Sequence, residues 1–167
     1  MNPTLFTLPE LVRILKRAEP RLTATARQLR YQMEAFERMN TAHRPRGRGD
    51  SARFSVGDCA LLLLVLQIIA ACGHRIAWAT FTYLGDPIHE RLRTGHPAGY
   101  VAIADGRAEL VTAQQVSRLP QTAWVFSLAD LWTQASASAA VEVRKRGKAP
   151  TRVPQWKDPE LVGTAVH

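Results

Sequence analysis

The sequence predicts a mainly α N-terminal head, a small α+β unit with a β-hairpin, and a disordered basic tail. Three observations predict it. Two Ser/Thr-led capping signatures, Thr7-Leu-Pro-Glu10 and Ser55-Val-Gly-Asp58, open helical stretches in the first half. An Asp105-Gly106 pair separates two short β-prone runs in the second half. Past residue 135 the chain turns to SASAA and then to a basic, proline-containing stretch.

Each element has its own warrant. In the first, Leu8, Leu11, Val12 and Leu15 fall at helical spacing, and Pro20 ends the run by Glu19. In the second, which starts near Thr25, Ala26, Leu29, Met33 and Phe36 gather on one side, opposite Arg27, Arg30, Tyr31, Glu34 and Arg38. Residues 40–53 have no apolar period; glycine, proline and four arginines (Arg44, Arg46, Arg48 and Arg53) make a positive loop. A nearly all-apolar helix then runs to Gly73. A shorter amphipathic helix is expected from about Ile76 to Leu84, and a linker over 85–99 with a helical turn at Ile88 to Arg93. Strands at 100–103 and 108–111 flank a type I′ turn, with a short helix before Pro120 and a third strand at 123–126. Ser127 and Asp130 cap a last helix reaching about Gln134. The domains expected are 1–84 as head, 85–135 as a dimerisation or effector unit, and 136–167 as tail.

Composition narrows the partners. The 167 residues carry a formal net charge of +8, and 46% are apolar, enough for a packed core. Clustered positive charge points to DNA, RNA or an anionic membrane. The apolar run Cys59 to Cys72 falls short of the roughly 20 residues a spanning helix needs. Extending it would bury His74 and Arg75 in lipid. It therefore reads as a buried helix, packed on the second helix on one side and on the C-terminal unit or a second subunit on the other. Cys59 and Cys72 read as buried apolar residues in a reducing compartment. No signal peptide is visible, so a cytoplasmic, nucleoid-associated location is expected.

The order of capped helix, second helix bearing R-x-x-R-Y, basic loop and R-F-S resembles the winged helix-turn-helix head of MerR-type transcription regulators. Thr7 to Leu11 resembles the opening helix, Thr25 to Tyr31 the recognition helix, and Arg53-Phe-Ser55 with Asp58 the exit from the wing. The similarity covers residues 5–84. It implies a DNA-binding set of Thr25, Arg27, Arg30, Tyr31, Arg44, Arg46, Arg48 and Arg53. The helix N-terminus would enter the major groove. Arg27 and Arg30 would fork onto guanine, and Tyr31 would meet a phosphate. The wing arginines would follow the backbone or the minor groove. Arg13, Lys16 and Arg17 are weaker candidates for flanking phosphates. Arg144, Lys145, Arg146, Lys148 and Arg152 are candidates for non-specific affinity. The long dimerisation helix and the metal-sensing cysteines of the family are not evident, which implies a regulator without metal response.

Nothing in the sequence suggests an enzyme. None of the five histidines stands at metal-ligand spacing from a cysteine, aspartate or histidine, and GxSxG, P-loop and GxGxxG motifs are absent. No catalytic residue, metal or cofactor is expected. The expectation is a sequence-specific double-stranded-DNA-binding regulator acting as a homodimer and not at a membrane. The alternatives are a phage-type structural DNA recogniser, small terminase-like or architectural, and a membrane-associated interaction protein.

Overall fold

A computed structural model describes residues 4–23, 25, 27–29, 31–32, 53–95 and 97–148. In order, these give α1 (Leu8–Ala18), α2 (Val56–Cys72), α3 (His74–Arg93), β1 (Tyr100–Ala104), β2 (Arg107–Val111), α4 (Ala113–Val116), β3 (Trp124–Ser127) and α5 (Leu128–Lys148). Residues 27–29 and 31–32 are also helical. The protein is mainly helical, with one small antiparallel sheet.

The capping boxes form as their spacing demands. The Thr7 N–H donates to the Glu10 carboxylate at 2.8 Å, and the Ser55 N–H to the Asp58 carboxylate at 2.6 Å. Just before each cap the backbone pairs with the other segment. Phe6 N–H donates to the Phe54 carbonyl at 2.7 Å, and Phe54 N–H to the Phe6 carbonyl at 2.9 Å. Both rings are buried. This antiparallel bridge clamps the starts of α1 and α2 side by side.

The near-absence of polar residues in α2 is explained by its neighbours. It runs through the middle of the molecule, touching α1, α3 and α5, and Leu63, Leu64, Val65 and Ile68 are fully buried. The C-terminal helix thus supplies the second surface that the apolar run requires. Among the described residues no helix is long and apolar enough to cross a membrane.

Gly73, at φ 84° and ψ 167°, reverses the chain in a conformation that only glycine adopts readily. α3 then returns antiparallel to α2. Their far ends meet closely: a Cβ on Gly57 would stand 3.2 Å from the Leu92 carbonyl oxygen. The helix expected to stop near Leu84 continues to Arg93, through Gly85 and Pro87. An internal proline removes one hydrogen bond and costs about 3 kcal/mol. Packing offsets that cost, because Ala77, Phe81, Ile88 and Leu92 extend one buried stripe across the proline, while Pro87 itself faces outward. Inside this interface His89 Nε2 lies 3.4 Å from Asp58 Oδ1.

The sheet has the order β2-β1-β3, with Ala104 opposite Arg107 and Val101 opposite Phe126. Asp105 (φ 51°) and Gly106 (φ 75°) form the left-handed pair expected of a type I′ turn. β2 lies against α3, and Val101 and Ile103 enter the common core. Ser127 accepts from the Asp130 N–H at 3.2 Å, capping α5 as its sequence implies.

The largest correction concerns α5. It does not end near Gln134, and the segment expected to be disordered from residue 136 is helical to Lys148. The Ser/Ala repeat is a packing surface. Leu128, Leu131, Ala135, Ser138, Ala139 and Glu142 recur at helical spacing and are all buried. Their small side chains let α5 approach α1 and α2 closely. Position 84/85 falls inside α3, position 135/136 falls inside α5, and one hydrophobic cluster runs from Phe6 to Ala139. The part of the expected tail beyond residue 148 lies outside the described residues.

Candidate nucleic-acid interface

Thr25 opens a helical turn by the same chemistry as Thr7. Its N–H donates to Gln28 Oε1 at 2.7 Å, and its hydroxyl accepts from the Gln28 N–H at 3.2 Å. The Leu29 N–H reaches the Thr25 carbonyl at 3.0 Å. Leu29 is completely buried and anchors the turn to the core. The opposite face looks outward: Arg27 and Gln28 are exposed, and Tyr31 is 72% exposed. Thr25, Arg27 and Tyr31 therefore share one presented turn, with Arg27 and Tyr31 four residues apart on one side. Arg53 is also exposed, beside the buried Phe54 at the bridge to Phe6. Arg30, Arg44, Arg46 and Arg48 lie outside the described residues.

Beside this turn is a cleft of about 790 Å³. Arg27, Tyr31 and Gln32 form one wall, and His74, Ala77 and Trp78 at the start of α3 form the other. Its floor is the one side of α2 that carries the polar Gln67 and the exposed Ala70. Arg21 lies on the rim. Gln67 is the one polar residue in the apolar run Cys59 to Cys72. Gln67 and Ala70, three apart and less apolar than their neighbours, were the signal that α2 has an uncovered face.

Four other cations proposed for DNA have structural partners. Glu142 is only 3% exposed; it accepts from Arg13 Nε at 3.0 Å and from Arg17 Nη2 at 2.9 Å. Arg17 Nη1 also donates to the Ser138 carbonyl at 2.9 Å. Burial alone would raise the Glu142 pKa, but the hydrogen bonds from Arg17 and Arg13 outweigh it and hold the carboxyl below its ordinary value. Arg146 holds Glu10 at 2.6 Å, donates to the Leu5 carbonyl at 2.9 Å and lies over the Phe6 ring. The Arg146 hydrogen bond, against desolvation and helped by Thr7, lowers the Glu10 pKa from 4.5 to about 2. Lys145 lies 3.7 Å from Glu142. By contrast, Arg21 and Arg27 form no ion pair among the described residues, and Lys16 and Arg144 are exposed.

Among the described residues no group of His, Cys, Asp and Glu is placed to hold a metal ion. Burial pushes the Cys59 thiol far up and raises that of Cys72, which is against the thiolate a reactive cysteine needs. The chain matches no protein-family model, no curated protein and no solved structure.

Proposed function

We propose that this protein is a sequence-specific double-stranded-DNA-binding transcription regulator of MerR-like, winged helix-turn-helix type. The observation that carries the reading is the Thr25-led turn. Leu29 fixes it to the core, while Arg27 and Tyr31 stand together in solvent, and among the described residues no carboxylate neutralises the guanidinium. A capped N-terminus presents unpaired N–H groups and a positive dipole to a phosphate. An arginine on its first turn reaches base edges when the helix enters the major groove.

The Phe6–Phe54 bridge supports the same reading from the backbone. The chain leaves this clamp through α1 and the Thr25 turn and returns to it at Phe54. The exposed Arg53 stands at that return, next to the buried Phe54, where this reading puts the end of a basic wing. In this reading Arg53 and the wing arginines Arg44, Arg46 and Arg48 follow the flanking backbone. The protein acts as a homodimer on two half-sites, associated with the nucleoid.

The test is selection of bound fragments from a random duplex pool by the full chain at about 150 mM salt, followed by anisotropy titration of the enriched and scrambled duplexes. Enrichment of one motif, with Arg27→Ala relaxing the preference at one base position, is the expected result. Equal affinity for all duplexes would replace the regulator with an architectural protein.

A further inference from the structure

We propose that the cleft between the Thr25 turn and the α2–α3 hairpin binds a small aromatic acid, and that the bound acid blocks the recognition turn. Occupancy of the cleft stands on geometry alone; the blocking rests on the DNA-binding reading above.

The cleft, about 790 Å³, falls within the roughly 300–1,000 Å³ of typical small-molecule sites. Its chemistry has three parts. Beside Gln67 and Ala70 the lining is aliphatic: Leu66 and Ile69 on α2, and Ala77 on the α3 wall. Two aromatic side chains flank it, Tyr31 and Trp78, 72% and 44% exposed. Such rings gain by stacking on a flat apolar body. Two guanidiniums, Arg21 and Arg27, line it with no carboxylate partner among the described residues, and the histidine lining it, His74, is exposed. The one acid there, Glu19, accepts from the Arg21 backbone N–H at 3.4 Å. The balance of charge therefore favours an anion.

The third part is Gln32. Its Oε1 is buried in the cleft wall and has no hydrogen-bond partner. A buried amide oxygen left unsatisfied has lost its water without gaining a donor. A ligand N–H or O–H would meet it once the Gln32 side chain turns its amide into the cleft. The matching ligand is a planar aromatic ring with a carboxylate or sulfonate and a nearby amino or hydroxyl donor. Because Arg27 and Tyr31 belong to both the cleft and the recognition turn, an acid held by them and a DNA duplex compete.

The probe is 8-anilinonaphthalene-1-sulfonate, which carries rings, acid and N–H, titrated into the full chain and read by its fluorescence. N-phenyl-1-naphthylamine, with the same rings and N–H but no acid, is the control. The expected result is one saturable site, lost in Ala70→Trp, which fills the cleft from an exposed position. The uncharged control should bind about tenfold more weakly, and Arg27→Ala should bring the sulfonate down to it. Circular dichroism shows whether Ala70→Trp is folded; Arg27→Ala, at an exposed position, reads the same site if it is not. Sulfonate binding unchanged in Ala70→Trp and Arg27→Ala, or equal affinity for the two probes, overturns the site. Saturating sulfonate should also lower affinity for the selected duplex. Site-specific binding that leaves duplex affinity unchanged overturns the blocking. A chain with no duplex affinity defeats the DNA-binding reading, while the probe titration still decides the site.

Discussion

The Thr25 turn and α5 both carry arginines on helices, and they use them in opposite ways. Arg27 and Arg21 face solvent and a cleft, with no carboxylate among the described residues paired to them. Arg146, and the Arg13 and Arg17 that α5 meets, are each bound to a glutamate. Sequence alone made Arg27, Arg13, Arg17 and Arg146 all candidates for DNA. What separates them is whether the fold places a carboxylate opposite. A guanidinium already holding Glu142 or Glu10 has surrendered much of its attraction for an outside anion. Net charge overstates the surface on offer for this reason, and position within the fold corrects it.

The comparison breaks first at α5. If this helix is structural, a chain ending at Ala135 loses the burial of Ser138, Ala139 and Glu142 and the Arg146 contacts to Leu5 and Glu10. That loss equals much of the stability of an ordinary domain, about 5–15 kcal/mol. The shortened chain should show no cooperative thermal transition by circular dichroism. A sharp transition near that of the full chain would return the segment to the status of a tail.

A point substitution sharpens the same contrast. Glu142→Gln keeps the shape and removes the charge that Arg13 and Arg17 share. Breaking a buried pair costs about 3–5 kcal/mol, reduced here because Arg13 and Arg17 are 50% and 32% exposed and regain water. A loss of about 2 kcal/mol in urea unfolding is expected. The depressed pKa of Glu142 gives this contribution a pH sign: it is present at neutral pH and is lost in acid as the carboxyl protonates. On the other side of the comparison, Arg27→Ala should leave stability within about 0.5 kcal/mol. It should cost about 1–3 kcal/mol against the preferred base pair, read by anisotropy on matched and mismatched duplexes.

How far the sequence reached depends on the range of the signal. Local signals were readable: Thr7 with Glu10, Ser55 with Asp58, Thr25 with Gln28, and the Asp105-Gly106 turn all act within a few residues. The exposed trio Thr25, Arg27 and Tyr31 followed from helical spacing about a buried Leu29. Long-range pairing was not readable. Nothing near Glu142 announces that Arg13 and Arg17, far away in the chain, will neutralise it. The Ser/Ala repeat looks too weakly apolar to pack, yet it is small where α1 and α2 come close. Pro87 and Gly85 read as helix breakers because the stripe through Ile88 and Leu92 offsets their cost only once α2 is in place. The cleft was hidden for the same reason: it is assembled from three separate segments.

The smallest effect tests the other end of α5. Glu10→Gln keeps the Thr7 capping geometry, since glutamine also serves at that position, and removes the charge facing Arg146. The Glu10 carboxyl has its pKa lowered from 4.5 to about 2 in the folded chain. Its contribution is therefore fully present above the ordinary carboxylate range and fades as pH falls towards 2. Arg146 is 42% exposed, so solvent screens the pair and the cost at neutral pH should be about 1 kcal/mol. Urea titrations of both proteins at successive pH values should show a constant gap above pH 5 that narrows steadily in acid. A gap independent of pH would mean that Arg146 holds the N-terminal segment through the Leu5 carbonyl and the Phe6 ring and not through the ion pair.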